Sequence, residues 1–159
     1  MLSVDEAAEL AKRKHKGQFD DAGINYLHHV NDVVERLIAS PQFELFTEQQ
    51  RDLALVAAHL HDVVQTTSTT LAELQAFDVT SELVDLLTVL TRKNFYFEPD
   101  EVYYRRVLQA GPVAVAVKLA DLASVSNPHR LAALPRKDAD RITDTYTGAL
   151  ALLTDAVAA

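Results

Sequence analysis

Apolar residues recur along most of the chain at intervals of three and four, the spacing that places them on one face of an α-helix. The segment after His29 shows this pattern clearly, with apolar residues at Val30, Val33, Val34, Leu37 and Ile38. Only four glycines and five prolines interrupt the 159 residues. The pattern predicts an all-α fold, a compact bundle of about eight helices.

Capping patterns indicate where several of these helices begin. Ser3 with Glu6, and Thr47 with Gln50, each match the capping box that starts a helix. Pro41 is expected to end the helix that follows His29. Further helices are predicted in order from Thr70, over 81–90, after an aromatic loop at 94–100, from Gly111 and Pro112, and over 137–158.

The stretch 113–119 is almost wholly apolar. Such a run predicts a helix through the middle of the bundle. Its valines would also suit a buried β-strand, which remains the alternative for this stretch. The helix that Thr47 opens is expected to continue past His61 and Asp62, which would lie one turn from its end.

Length and composition bound the class of protein. A chain of 159 residues suits one domain, taken as 1–159, with a core of its own. It contains no cysteine, its start is acidic, and no stretch approaches the roughly 20 apolar residues of a membrane span. We therefore expect a cytoplasmic domain without a membrane segment, and none of these features indicates an oligomeric state.

The formal net charge of -8 argues against nucleic acid as a partner, because such binding depends on clustered Lys and Arg that meet phosphates. A small anionic ligand is compatible with this charge if basic side chains gather locally. The candidates are Lys12, Arg13, Lys14, Lys16, Arg92, Lys93, Arg105, Arg106 and Lys118.

The most informative stretch is 57–67, an apolar helix that carries His61 and Asp62 and then runs into threonines and a serine. An imidazole and a carboxylate near the end of a buried helix are costly unless something pairs with them, and a divalent metal ion is one such partner. Further ligands could come from His28, His29 or Asp121. Any one of these residues, taken alone, could equally be a core or capping residue.

Four blocks of sequence occur in an order that resembles a known family. They are Gly23-x-x-Tyr26-x-x-His29, then Ala57-Ala58-x-Leu60-His61-Asp62-Val63-Val64, then Leu90-Thr91-Arg92, then Val117-Lys118-Leu119-Ala120-Asp121. Together they resemble the His-Asp (HD) metal-dependent phosphohydrolases, and within these the RelA/SpoT-type hydrolase domain and the small alarmone hydrolases. The resemblance covers nearly the whole chain.

The resemblance implies a metal site and a substrate. The metal ligands would be His29, His61, Asp62 and Asp121, and the usual ion is Mn²⁺. The expected reaction removes pyrophosphate from the 3′ position of (p)ppGpp, a small anionic nucleotide. Lys14, Arg105 and Tyr146 are the candidate substrate-binding residues, because the last two match family positions and Lys14 belongs to a basic cluster.

The other histidines are weaker candidates for the metal. The spacing from Tyr26 favours His29 over His28, and adjacent helical side chains do not share a face. His59 is expected to be a packing or capping residue, and His129 a surface residue. His15 resembles a family histidine before Gly-Gln, which suggests a structural or pocket-lining role.

The chain departs from the family where catalysis is expected. Family hydrolases carry a Glu-Asp pair three and four residues beyond the metal-binding Asp, and the corresponding residues here are Gln65 and Thr66. Neither is a general base at neutral pH. Asp20 and Asp21 stand in a loop that is often basic in the family, and carboxylates there would repel a polyphosphate.

Three hypotheses follow from the sequence. The first is a (p)ppGpp 3′-pyrophosphohydrolase. The second is a related HD hydrolase with another nucleotide or phosphoester as its substrate. The third is a metal- and nucleotide-binding domain that has lost most of its catalytic power.

Overall fold

The protein is described by a computed structural model that covers residues 2–93 and 97–154. Within these ranges the chain is helical and contains no β-strand, only an isolated antiparallel bridge between Phe19 and Asn25. The all-α prediction is confirmed. In chain order the helices are α1 (Val4–Lys14), α2 (Tyr26–Ile38), α3 (Pro41–Leu45), α4 (Glu48–Leu60), α5 (Val63–Thr66), α6 (Leu71–Leu74), α7 (Ser81–Leu90), α8 (Asp100–Gln109), α9 (Pro112–Val125), α10 (Pro128–Leu131) and α11 (Arg136–Thr154).

The capping patterns define the helix starts as expected. Both predicted capping boxes form, at the start of α1 and at the start of α4. Pro41 does not simply end α2, because it occupies the first turn of the short helix α3, with Ser40 as its N-cap. Proline suits that position because its missing N–H has no partner there. Pro128 begins α10 in the same way.

Helix α9 is the central element of the bundle. It follows Gly111, whose φ of 101° is accessible to glycine at little cost, and it packs against α2, α4, α7, α8 and α11. Five consecutive residues, 114–118, are buried. The helical alternative for this apolar stretch is therefore correct, and the strand alternative is wrong.

The prediction for the His-Asp pair was wrong in one respect. Helix α4 ends at Leu60, His61 is its C-cap residue, and Asp62 is the N-cap residue of the short helix α5. The pair therefore lies at a junction between two helices instead of inside one.

The ends of two predicted elements lie outside the described residues. The predicted aromatic loop at 94–100 is described only from Phe97 onward, and the predicted last helix, 137–158, only as far as Thr154. Across the two described ranges, the buried apolar residues form one hydrophobic cluster. No helix within these ranges is long and apolar enough to cross a membrane.

Candidate metal centre

Three parts of the bundle bring four predicted ligands together. His29 lies in the first turn of α2, which begins where the Asn25 side chain accepts a hydrogen bond from the backbone N–H of Leu27. His61 and Asp62 come from the junction of α4 and α5, and Asp121 from the middle of α9. Helices α2, α4 and α9 pack against one another, so residues far apart in sequence become neighbours.

The distances between these side chains are short. Nε2 of His29 lies 3.3 Å from Nε2 of His61, 3.4 Å from Oδ2 of Asp62 and 3.3 Å from Oδ1 of Asp121. Nε2 of His61 lies 3.2 Å from the same Asp62 oxygen and 3.8 Å from the same Asp121 oxygen. Both imidazole rings therefore present Nε2 to both carboxylates.

This arrangement fits one divalent ion. Ligand atoms about 2.1 Å from a single ion lie roughly 3.0 to 3.4 Å apart in octahedral or tetrahedral geometry. His29, His61 and Asp121 offer ligand atoms that all lie within 4.8 Å of one another, and Asp62 is close to both histidines. Imidazole nitrogen combined with carboxylate oxygen suits Mn, Fe or Zn ions. The structure thus contains a possible divalent-metal site.

Further contacts hold the ligands in place. The Tyr26 hydroxyl donates to Oδ2 of Asp62 at 2.5 Å, and the Tyr26 ring stacks on the buried His15 ring with centroids 4.9 Å apart. The ammonium group of Lys118 donates to Oδ2 of Asp121 at 2.6 Å, which leaves Oδ1 facing the histidines. Contacts of this kind orient metal ligands and tune their basicity.

The charges of the cluster depend on one another. Burial lowers the pKa of His29, but the carboxylates of Asp121 and Asp62 outweigh it and raise that pKa to about 9. Burial raises the pKa of Asp62, yet His61 and His29 hold it well below its usual value. A proton on His29 thus stands between carboxylates, where a metal ion would have to displace it.

A cavity of about 600 Å³ opens beside the cluster, and Tyr26, Asp62 and Asp121 are among its lining residues. Its wall is mixed in character. Its apolar side chains include Phe19, Tyr104, Leu122, Val125 and Ile142, and its cationic side chains are those of Arg92, Lys118, Arg130 and Arg141.

Most of these cations already have protein partners. The Arg92 guanidinium lies 2.7 Å from a carboxylate oxygen of Asp100, and over the Tyr103 ring at 4.3 Å from its centroid. Arg130 donates to Asp20 at 3.0 Å. Arg141 is the most exposed of the four, and its ion pair with Asp138 is a long 3.5 Å. Arg141 is therefore the cation with most freedom to meet an anionic ligand.

Gln65 and Thr66 both line the cavity. The Gln65 Oε1 atom accepts the backbone N–H of Arg92 at 2.7 Å, and the Thr66 hydroxyl donates to the backbone carbonyl of Asp62 at 2.9 Å. These side chains occupy the place expected for the family's Glu-Asp pair, and each is engaged with the backbone.

The three predicted substrate-binding residues lie elsewhere. Lys14, Arg105 and Tyr146 do not belong to the cavity lining, and Arg105 is exposed and pairs with Glu101 on its own helix at 2.7 Å. The cavity instead presents Arg130 and Arg141, which the sequence analysis did not single out. Their helices, α10 and α11, follow Asp121 in sequence, and only the packing of the bundle brings them to the cavity.

The remaining histidines are placed as expected. His15 is fully buried, His59 is buried in α4, and His28 and His129 are exposed. Burial lowers the pKa of His15, and its Nδ1 lies 2.8 Å from Oε1 of Gln18.

Asp20 has a structural role that weakens the expected repulsion of anions. Its carboxylate accepts the backbone N–H groups of Ala22 and Ile24 and pairs with Arg130, while 6% of the side chain is exposed. Burial raises its pKa, but these hydrogen bonds and the Arg130 charge outweigh burial and lower it. Only Asp21 remains as an exposed acid of this loop.

No model of a known protein family matches the chain, and no curated protein matches it by sequence. Among solved structures, it is similar to a metazoan orthologue of SpoT that hydrolyses ppGpp and plays a role in starvation responses. The TM-score is 0.75 with 20% sequence identity, over 94% of this chain and 84% of that one.

This likeness shows the fold. The chain shares the all-helical fold of that protein, and the resemblance expected from its four sequence blocks is confirmed at the level of the fold. The possible metal site lies where three helices of this fold meet.

Proposed function

We propose that the protein is a metal-dependent phosphohydrolase whose substrate is a nucleotide with a pyrophosphate group, and that (p)ppGpp is the first candidate. His29, His61, Asp62 and Asp121 would hold the ion, with Mn²⁺ as the expected metal. We also propose that the chain acts as one domain, 1–159, in the cytoplasm; the support is one shared core and a composition without cysteine.

The observation that carries the proposal is the convergence of two imidazoles and two carboxylates, with both carboxylate residues lining a cavity that also has cationic side chains. A structural role alone would not require the cluster to open onto a cavity. The architecture shared with a ppGpp hydrolase adds support.

The reaction would break the ester bond between the 3′ oxygen and the adjacent phosphorus, with water as the nucleophile. A divalent ion supplies Lewis-acid chemistry, in that it acidifies water and withdraws charge from a phosphoryl oxygen. Lys118 holds Asp121 in position, and Tyr26 holds Asp62. Arg141 and Arg130, which both line the cavity, would neutralise phosphate charge.

Phe19 supports a nucleotide as the ligand. Phe19 lines the cavity, and 61% of the residue is exposed, so the face of its ring is accessible to a ligand there. Its backbone is fixed by the bridge to Asn25 and by the hydrogen bonds of Asp20. An exposed ring on a hydrogen-bonded loop can stack on a nucleobase.

The experiment is an Mn²⁺-dependent turnover assay with ppGpp, GTP and a generic phosphomonoester as substrates. We expect slow release of pyrophosphate from ppGpp, lost in Asp121→Asn and after EDTA treatment. Lys14→Met is the matched control, since Lys14 lies outside the cavity lining. If only another substrate is turned over, the proposal transfers to that substrate. If none of the three substrates is turned over, the proposed enzymatic activity is refuted.

Gln65 and Thr66 favour a second candidate, a metal- and nucleotide-binding domain with little catalysis. Neither side chain has a carboxylate, and both are hydrogen-bonded to the backbone. Phe19→Trp separates the candidates, because the chain contains no other Trp. Quenching of its fluorescence by ppGpp in Mn²⁺ without turnover would favour the binding domain.

A further inference from the structure

The two histidines among the candidate metal ligands, His29 and His61, differ in the hydrogen-bond partner of their Nδ1 atoms. Nδ1 of His61 lies 2.7 Å from the backbone carbonyl of Ala58. A carbonyl only accepts hydrogen bonds, so His61 must carry its proton on Nδ1, and its Nε2 lone pair is free for a metal. Nδ1 of His29 instead lies 2.9 Å from the hydroxyl oxygen of Ser124.

A hydroxyl group can either donate or accept, so the partner of His29 does not by itself fix the tautomer. For His29 to bind a metal through Nε2, Nδ1 must carry the proton and Ser124 must accept it. Ser124 is 3% exposed and follows Asp121 by three residues on α9. Helix α9 therefore places both a candidate ligand and the hydrogen-bond partner of a second candidate ligand in one turn.

We propose that Ser124 is a positioning residue of the metal centre, whose hydroxyl oxygen accepts the Nδ1 proton of His29 and so directs the Nε2 lone pair at a divalent cation. This inference rests on the metal site of the proposed function. It concerns only the contact between α2 and α9, because the Ala58 carbonyl already fixes the tautomer of His61.

The test compares Ser124→Ala with Ser124→Thr. Alanine leaves a buried Nδ1–H without its acceptor, and loss of such a partner typically weakens metal affinity by about 10- to 100-fold. Threonine keeps the hydroxyl and should restore affinity to within a few-fold of wild type. Ser126→Ala is the matched control, because Ser126 ends the same helix and its hydroxyl donates to the Leu122 carbonyl.

Mn²⁺ affinity is measured by electron paramagnetic resonance of the free ion, with circular dichroism to verify helicity. Equal affinity of folded Ser124→Ala and wild type would overturn the role of Ser124 and leave the proposed function intact. A wild-type protein that binds neither Mn²⁺ nor Zn²⁺ would overturn both.

A second readout uses the wild-type protein and so does not depend on the folding of a variant. With Zn²⁺ as a diamagnetic probe, ¹⁵N NMR of the histidine rings reports which nitrogen carries the proton. We expect a protonated Nδ1 on His29 in the Zn²⁺-bound protein. A proton on Nε2 instead would contradict the inference.

Discussion

The cluster of four candidate metal ligands and the cavity wall beside it are held by neighbouring helices. The two regions nevertheless follow the family pattern to different degrees. The cluster carries His29, His61, Asp62 and Asp121 at every position that the resemblance implies. The wall carries Gln65 and Thr66 in place of two carboxylates.

The difference has a physical origin. A buried cluster of charges is tolerated only when all its members pair, so the loss of one carboxylate leaves a neighbouring charge uncompensated. A neutral side chain on the cavity wall balances no buried charge and can change without that penalty. The cluster thus fits a divalent metal ion, and under the proposed function the wall would determine which ligand is bound and how fast it reacts.

The largest expected effect comes from His61→Ala. The variant should lose Mn²⁺ binding and any turnover, because it removes a ligand that faces both carboxylates. The helical fold should persist, since the core consists mainly of apolar contacts. Titration with Mn²⁺ and circular dichroism check both statements, and retained Mn²⁺ affinity would remove His61 from the site.

Restoring the family pair tests the wall directly. Gln65→Glu with Thr66→Asp should raise Mn²⁺-dependent turnover by about 10² to 10⁴-fold, the usual contribution of a positioned acid-base group. Glutamate at 65 can still accept the Arg92 N–H that Gln65 accepts now. An unchanged rate in the double variant would indicate that the wall has been adapted to another ligand.

The cluster was predictable from the sequence because its residues occur in short blocks with fixed spacing. The break between α4 and α5 was not, since Leu60 to Val64 continues an apolar helical pattern. Arg92 and Lys118 were among the basic candidates, but the other two cavity cations were missed for a different reason. Lys14 and Arg105 stand in conspicuous basic runs, whereas Arg130 and Arg141 are brought together only by tertiary packing.

Lys118→Met should lower the free energy of unfolding of the protein. Removing the ammonium group leaves the buried Asp121 carboxylate without its closest partner, which typically costs about 3 to 5 kcal/mol. A bound ion would supply replacement charge, so the loss should be smaller in Mn²⁺. Urea unfolding of wild type and variant, with and without Mn²⁺, measures the loss of unfolding free energy. A loss of the same size in both conditions would argue against an ion next to Asp121.

Phe19→Ala should change ligand binding with little effect on the metal. Loss of a stacked ring costs about 1 to 3 kcal/mol per base, so nucleotide affinity should fall by roughly 5- to 150-fold. Phe19→Tyr keeps the aromatic face and is the matched control. Inorganic pyrophosphate has no base, so its affinity should not change, and an equal loss for both ligands would contradict stacking.

The smallest effect is expected at the loop that carries Phe19. Asp20→Asn keeps an oxygen for the Ala22 and Ile24 N–H groups but loses the charge that faces Arg130, which should lower the free energy of unfolding near neutral pH. Because the folded protein lowers the Asp20 pKa, this stabilisation is present above the ordinary aspartate pKa and is lost as the pH falls through the lowered value. The unfolding free energies of wild type and variant should therefore converge in acid, and a difference that stays constant with pH would exclude the ion pair as its cause.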